Sequence, residues 1–440
     1  MTTSMRGVMV SCALAMLGCA DDPESSASAI QSHESDDDDG LIARATRGLS
    51  ISPVRMNLAG LDLRQRRLVG LGSYIVNGAS DCAGCHSGAA GFLAGGSPFS
   101  LDQSGHVVYA RNLTPDPSTG LTLNYRQFLE SMRTGRDFHS GETRMLVVMP
   151  WTTLRWSSER DLRAIYAYLR VIPAVRNAVP PDHKSDLPLP RHVPFPRFFY
   201  NDGDVVRLLP DEESSFSSRR GLAISPLALP RHLRRHERDA YGTGSYIANT
   251  FAHCNDCHTH PDRTPDSARV NTASFLTGGT VFAVPPPLQP ALHQVRTTSA
   301  NLLGATHGFF SEPGVSYSLF RSIIRASAHV DETPARPLAF PMNLVAQNLA
   351  NLTEPDLRAV YTYMFLSPRT RGPSDVEHQD YARYCLADSD CATGESCSLA
   401  THECVGRACG DDLDCDTCQT CGAGLCAAPS PTSACVLTAQ

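Results

Sequence analysis

Two five-residue segments of the chain carry residues of the same types at the same spacing: Cys82-Ala83-Gly84-Cys85-His86 and Cys254-Asn255-Asp256-Cys257-His258. Cys-x-x-Cys-His is the attachment signal for c-type haem. Its two thiols add to the two porphyrin vinyl groups as thioethers, and the adjacent histidine offers a neutral imidazole nitrogen to the iron. A short helical turn suits this chemistry, because it puts both sulfurs on one side and turns the imidazole towards the metal. With 16 Cys and 16 His in 440 residues, roughly 0.02 matches to the pattern are expected by chance. Two other chemistries share the Cys-x-x-Cys spacing, namely half of a zinc site and two members of a disulfide framework.

An iron held by one histidine accepts a sixth ligand. Methionine raises the potential and gives an electron-transfer centre, whereas an open position permits small-molecule binding and catalysis. Met149, in Val147-Val148-Met149-Pro150-Trp151, and Met342, in Phe340-Pro341-Met342-Asn343, are the candidates. Met132, Met145 and Met364 compete with them, as do His106, His139, His253, His260, His293, His307 and His329. No cysteine lies between Cys85 and Cys254 or between Cys257 and Cys385. The core therefore offers no thiolate as sixth ligand, and a four-cysteine zinc site would have to join both motifs or borrow from the tail.

The elements that must position these residues occur twice. Gly70-Leu71-Gly72-Ser73-Tyr74-Ile75-Val76-Asn77 precedes the first motif, and Gly242-Thr243-Gly244-Ser245-Tyr246-Ile247-Ala248-Asn249 precedes the second. Downstream, the segment from Glu159 to Tyr168 pairs with that from Glu354 to Tyr363. Helical spacing of apolar residues predicts an opening helix in Leu61 to Asn77. Capping signatures at Ser157-Ser158-Glu159 and Thr353-Glu354-Pro355 predict closing helices, which stop before Pro173 and Pro368.

On these residues each repeat resembles a class I cytochrome c domain. The chain is similar to periplasmic cytochrome c subunits that serve alcohol and sugar dehydrogenases. The resemblance implies a mainly α fold: cytochrome c domain 1 over 61–172, a Pro-rich connector over 173–238, domain 2 over 239–368, and a small disulfide-rich module over 380–440. It implies two covalent haem c groups, bound by Cys82, Cys85, His86, Cys254, Cys257 and His258, with His86/Met149 and His258/Met342 as iron ligands. The Met149-Pro150 pair matches the family's ligand loop. Gly72 against Tyr166 or Tyr168, and Gly244 against Tyr361 or Tyr363, fit the family's helix crossing. Arg111-Asn112-Leu113-Thr114-Pro115-Asp116 is similar to a segment that lies beside the haem and can hydrogen-bond a propionate; the second repeat keeps Asn301-Leu302 of it.

Residues 1–19 read as an export signal, with Arg6 before a short apolar core. Ala15-Met16-Leu17-Gly18-Cys19 resembles a lipobox, which implies a lipid on Cys19 and a periplasmic-side or outer-membrane location. An acidic tether and lead-in follow over 20–60, with Asp36 to Asp39 as a charge run that cannot form a core. In the connector, Phe195, Phe198, Phe199 and Tyr200 suggest packing onto the haem domains. Arg231 to Arg238 is a basic run, read as a solvated helix face with docking as its alternative. The ten cysteines from Cys385 to Cys435 read as a disulfide scaffold of open connectivity, with metal binding at Cys415, Cys418 and Cys421 as the alternative.

A net charge of −7 argues against nucleic acid as the main partner. The function expected is an electron carrier between a dehydrogenase donor and a cytochrome or oxidase acceptor, in which the chain makes no bonds itself. The alternatives are a di-haem enzyme such as a peroxidase, with one open or displaceable ligand, and a binding protein whose haems are structural.

Overall fold

The repeat in the sequence is a repeat of helices. The computed structural model describes residues 39–101, 106–138, 144–146, 148–182, 214–259, 272–371, 381–391, 395–406, 420–422 and 425–427. The export signal with Cys19, the acidic run up to residue 38, His139, His260, the connector's aromatic cluster, and Cys409, Cys415, Cys418 and Cys435 lie outside them. So do the side chains of His106, Met145, Cys421 and Cys426.

The described chain opens with α1 (residues 39–51), which runs into the unit that begins at Leu41, followed by α2 (Leu63–Tyr74), α3 (Cys82–His86), α4 (Tyr125–Thr134), α5 (Trp151–Leu154) and α6 (Glu159–Leu169). The second half repeats the order with α7 (Ser218–Ile224), α8 (Arg235–Tyr246), α9 (Cys254–His258), α10 (Tyr317–Ala326), α11 (Met342–Leu349) and α12 (Glu354–Leu366). Local chemistry sets the boundaries. Asp62 and Gln65 form a capping box at α2, and Ser158 and Thr353 cap α6 and α12 where the sequence places them, with Pro355 in the first turn.

Both opening helices end in a widened turn. The Ser80 N–H reaches the Ile75 carbonyl at 2.8 Å and the Ala252 N–H reaches that of Ile247 at 2.9 Å, five residues back instead of four. Each wide turn is braced alike. Asn77 Nδ2 donates to Ser73 Oγ at 3.0 Å and Tyr168 Oη at 3.1 Å; Asn249 Nδ2 donates to Ser245 Oγ at 3.0 Å and Tyr363 Oη at 3.1 Å. The bracing fixes the point where the chain leaves the helix for the cysteine motif.

Opening and closing helices cross at glycine. A Cβ on Gly72 would lie 1.9 Å from the Ala164 carbonyl oxygen and 2.8 Å from Tyr168 Cβ; on Gly244 it would lie 1.9 Å from that of Ala359 and 2.8 Å from Tyr363 Cβ. Tyr168 and Tyr363, not Tyr166 and Tyr361, are thus the crossing aromatics. Only glycine permits this approach. Gly72→Ala is expected to lower stability by about 3 kcal/mol, the upper part of the overpacking range. An unchanged denaturant midpoint would contradict the crossing.

Two helices fall where the sequence reading has none. Part of the 20–60 tether and lead-in is α1, and part of the 173–238 connector is α7 and the start of α8. They are the same element. Arg47-Gly48-Leu49-Ser50-Ile51-Ser52-Pro53 recurs as Arg220-Gly221-Leu222-Ala223-Ile224-Ser225-Pro226, and Gly48 and Gly221 bring each helix against Gly70 of α2 or Gly242 of α8. The Pro content of the connector is compatible with α7 because that helix spans only Ser218–Ile224 and ends before Pro226.

The halves meet through an exchange of hydrogen bonds. Tyr74 of α2 donates to Asp356 Oδ2 at the start of α12 (2.5 Å) and accepts from the Thr353 N–H (2.9 Å); Tyr246 of α8 donates to Asp161 Oδ2 at the start of α6 (2.7 Å) and accepts from the Ser158 N–H (2.7 Å). Equivalent groups face each other both ways, as at a two-fold interface within one chain. The carboxylates differ in their remaining partners. Arg44 of α1 grips Asp356 at 2.6 and 2.9 Å, while Asp161 takes the Ser215 hydroxyl at 2.5 Å and the Phe216 N–H at 3.2 Å. The Phe216 ring lies 5.7 Å from that of Tyr74 and 6.0 Å from that of Tyr246.

The tail joins the second half. Its strand Tyr381–Arg383 pairs with Gln294–Thr298, which also pairs with Val281–Ala283. Disulfides Cys385–Cys397 and Cys391–Cys404 interlace around the hairpin of Glu395–Ser398 and Glu403–Gly406. Among the described residues no helix is long and apolar enough to cross a membrane.

Candidate functional site

Both cysteine motifs form the short helical turns that the sequence predicts, α3 and α9. In each, the histidine is held by a backbone carbonyl: His86 Nδ1 lies 2.8 Å from the Arg111 oxygen, and His258 Nδ1 lies 2.7 Å from that of Ala300. A carbonyl only accepts, so Nδ1 carries the proton and the Nε2 lone pair is left for a metal. Burial pushes both imidazoles below their ordinary range, outweighing the opposite effect of the carbonyl bond, so both are neutral at neutral pH.

The carbonyls are themselves positioned. Gly95 and Gly278 donate to the His86 and His258 carbonyls at 2.7 and 2.6 Å. Their φ values of 74° and 75° suit glycine, and a Cβ on either would strike the peptide that presents the acceptor: the Arg111 carbon at 2.6 Å, or the Ala300 carbon at 2.6 Å. Sequence reasoning passed over these residues. The signal was a second repeated pentad, Phe92-Leu93-Ala94-Gly95-Gly96 and Phe275-Leu276-Thr277-Gly278-Gly279.

Within the segment that the resemblance sets beside the haem, the polar groups of Asn112 and Thr114 bond inside the chain. Asn112 Oδ1 accepts from the Thr114 N–H at 3.0 Å and its hydroxyl at 2.7 Å, while Asn112 Nδ2 donates to the Val175 carbonyl at 2.8 Å and the Val175 N–H returns a bond to Thr114 Oγ1 at 3.1 Å. These bonds use the Thr114 hydroxyl within the chain, so it locks the loop behind the Arg111 carbonyl. In the second half Asn301 Oδ1 accepts from the Gly304 N–H at 2.7 Å.

Cys82, Cys85 and Cys254 are unbridged, in contrast to the tail cysteines. Burial pushes the Cys82 and Cys254 thiols up to about 12, helped by the charge of Asp81 at Cys82 and of Asp256 at Cys254. Among the described residues no metal-sized cluster of His, Cys, Asp or Glu includes either motif. The structure thus does not bring the two pairs together, as a four-cysteine zinc site would require. The one such cluster among the described residues, Cys385, Cys391 and Cys404, consists of cysteines already in disulfides.

Met149 immediately precedes the turn into α5, and Met342 is the first residue of α11. Both are half-buried and, with Cys82 and Cys254, pack against one continuous apolar core. Met132 and Met364 lie inside helices and are buried in that core as filler. Arg133 and Arg325, also passed over, brace the stretch after each methionine: Arg133 donates to the carbonyls of Arg155 and Ser157, and Arg325 to those of Ala350 and Leu352. Among the histidines weighed as sixth ligands, His253 is bonded through Nδ1 to Thr153 and His293 is exposed. His329 has a buried Nε2 with no hydrogen-bond partner. Trp151 donates to the Leu146 carbonyl at 3.0 Å and covers Gly135, while Trp156 Nε1 is buried without an acceptor.

Each turn offers a pair of cysteines and a neutral imidazole whose Nδ1 is held by a backbone carbonyl. It fits a covalently attached haem.

No protein-family profile matches the chain. It is similar to a component of the nicotinate dehydrogenase of Pseudomonas putida, 26% identical over 296 residues, which cover 66% of this chain and 20% of that protein. It is also similar to the fructose dehydrogenase cytochrome subunit of Gluconobacter japonicus, 28% identical over 41% of this chain and 32% of the relative. The gluconate 2-dehydrogenase cytochrome c subunit of Pantoea cypripedii is 28% identical over 44% of this chain and 38% of the relative. The matched part thus spans well under half of each of these relatives.

Proposed function

We propose that the chain is an exported di-haem c-type cytochrome that passes single electrons between a dehydrogenase donor and a respiratory acceptor. The observation that carries this reading is the pair of identically held histidines, His86 on Arg111 O and His258 on Ala300 O, beside unbridged cysteines. Similarity to cytochrome c subunits of dehydrogenases supports it, and the donor and acceptor classes rest on that similarity.

In this reading Cys82 with Cys85, and Cys254 with Cys257, anchor the porphyrins. His86 and His258 supply Nε2, and Met149 and Met342 supply the sixth ligands. When bound, haem c supplies one-electron iron chemistry; the chain fixes the ligands and the polarity around them, which set the potential. The carbonyl bonds hold each imidazole ring in one orientation through a change of charge. Cys19 would carry the lipid that keeps the carrier at a membrane surface.

The test is the long-wavelength charge-transfer band that methionine–iron ligation gives in the oxidised protein. Met149→Ala is expected to remove about half of it, and Met342→Ala the other half. His329 is the specific competitor in the second half because of its unpartnered Nε2. If Met342→Ala leaves the band intact and His329→Ala alters the spectrum, that haem is bis-histidine. Strong carbon monoxide binding by the reduced wild-type protein would instead favour an enzyme with an open position.

A further inference from the structure

Thr153 and Asn348 hold corresponding places in the two repeats, and each reaches across to the other half. Thr153 lies in α5, just after Met149, and its Oγ1 is 2.7 Å from Nδ1 of His253, the residue immediately before Cys254. Asn348 lies in α11, which begins at Met342, and its Nδ2 donates at 2.7 Å to Oδ1 of Asp81, the residue immediately before Cys82.

The first link has a direction. The Thr153 hydroxyl donates its one proton to the Pro150 carbonyl at 2.9 Å, so the imidazole must be the donor in the other bond. Burial pulls His253 down to about 4, which keeps the ring neutral at neutral pH with its proton on Nδ1. A relay therefore runs from His253 Nδ1–H to the Thr153 hydroxyl to the Pro150 carbonyl, from the neighbour of Cys254 to the neighbour of Met149. In the second link the same Asp81 oxygen also accepts the Gly84 N–H at 3.1 Å. The atom that Asn348 holds is thus the cap of the Cys82–His86 turn.

We propose that Thr153 and Asn348 are positioning residues that couple the two haem sites, each joining the segment with one half's distal methionine to the attachment turn of the other half. The proposal rests on the two-haem His/Met reading above. A displacement of the Met149 loop changes the partner of a half-buried imidazole beside the second site, and a displacement of α11 changes the cap of the first. Both bonds are partly shielded from solvent, so neither is replaced by water at no cost.

The test uses the full-length oxidised holoprotein and its haem-methyl proton resonances, assigned with a Cys254→Ala/Cys257→Ala variant that keeps the first haem. Thr153→Val is expected to shift the resonances of both haems, as is Asn348→Leu, while Thr153→Ser, which keeps the hydroxyl, restores the wild-type positions. Shifts confined to one haem in each variant, or none, overturn the coupling. Should Thr153→Val not accumulate, Thr153→Ala removes the same hydroxyl without adding a methyl group. Failure of all the hydroxyl- and amide-deleting variants to yield two-haem protein overturns the positioning role in favour of a folding role. The pyridine haemochrome of the unsubstituted chain separates the two readings. Fewer than two haems per chain sinks the two-haem reading itself, whereas two haems with one-sided shifts sink only the coupling.

Discussion

Replacing Cys254 and Cys257 together by alanine is expected to halve the covalent haem, from two groups per chain to one, and to leave the first site's spectrum recognisable. The reason is that, among the described residues, the first attachment turn makes no bond to the second attachment turn. Its cap is Asp81, its histidine acceptor is Arg111 O, and the glycine behind that acceptor is Gly95. All lie in the first half. The link from Asn348 to Asp81 comes from α11, not from the attachment turn being changed. Pyridine haemochrome absorbance per chain and the mass of the intact protein both report the count. An undiminished count would show that the second motif is not an attachment site. The reciprocal Cys82→Ala/Cys85→Ala variant is expected to give the same half-loss.

Asp356→Ala is expected to cost about 3–5 kcal/mol of stability at neutral pH, the range for breaking a buried ion pair by removing one partner. Asp356 is 1% exposed, and its loss strands the Arg44 guanidinium and the Tyr74 hydroxyl at once. Burial alone would raise the Asp356 carboxyl, but the charge and hydrogen bonds of Arg44 and the bonds from Tyr74 and Thr353 outweigh it and hold it below the usual range. A carboxylate whose folded value lies below its unfolded one, about 3.9, stabilises fully above that unfolded value. The contribution disappears as pH falls through the folded value. The difference between wild type and variant should therefore be constant through neutral pH and shrink only in acid. Denaturant unfolding over that pH range measures it; a difference below about 1 kcal/mol at pH 7 would mean that the pair is solvated. Replacing Arg44 and Asp356 together by Met and Leu should be far milder than either single change, because no buried charge is then left alone.

Much of the site was legible before the fold. The Cys-x-x-Cys-His turns, the caps at Ser158 and Thr353, and the glycine crossings involve residues close in sequence or alike in both repeats. Two helices were missed although their signal was present, because Arg-Gly-Leu-x-Ile-Ser-Pro sits next to an acidic run in one copy and a Pro-rich stretch in the other. There composition outweighed repetition. The Phe-Leu-x-Gly-Gly pentads were missed for a different reason: glycine pairs read as turns, and nothing local shows that the turn supports a histidine. The resemblance sets the segment from Arg111 to Asp116 beside the haem; what it did not show is that Thr114 within it bonds to Asn112 and Val175 and locks the loop.

The sequence by itself determined the two Cys-x-x-Cys-His turns, the duplication and most helix ends, since these depend on side-chain identities within a few positions of one another. Tertiary structure alone decided what holds the histidines and what joins the halves. His86 and His258 rest on carbonyls 25 and 42 positions away, and every residue offers a carbonyl, so no residue type could announce that Arg111 and Ala300 play the same part. The Tyr74–Asp356 bond spans 282 positions. Its Asp356 reads in the sequence as an ordinary acidic residue in a helix's first turn, and becomes the anchor of the other half only because folding buries it where Arg44 and Tyr74 converge. In the proposed reading the repeated motif supplies two places to attach a haem. The exchanged bonds from Tyr74 and Tyr246, and those from Thr153 and Asn348, make the two places parts of one structure.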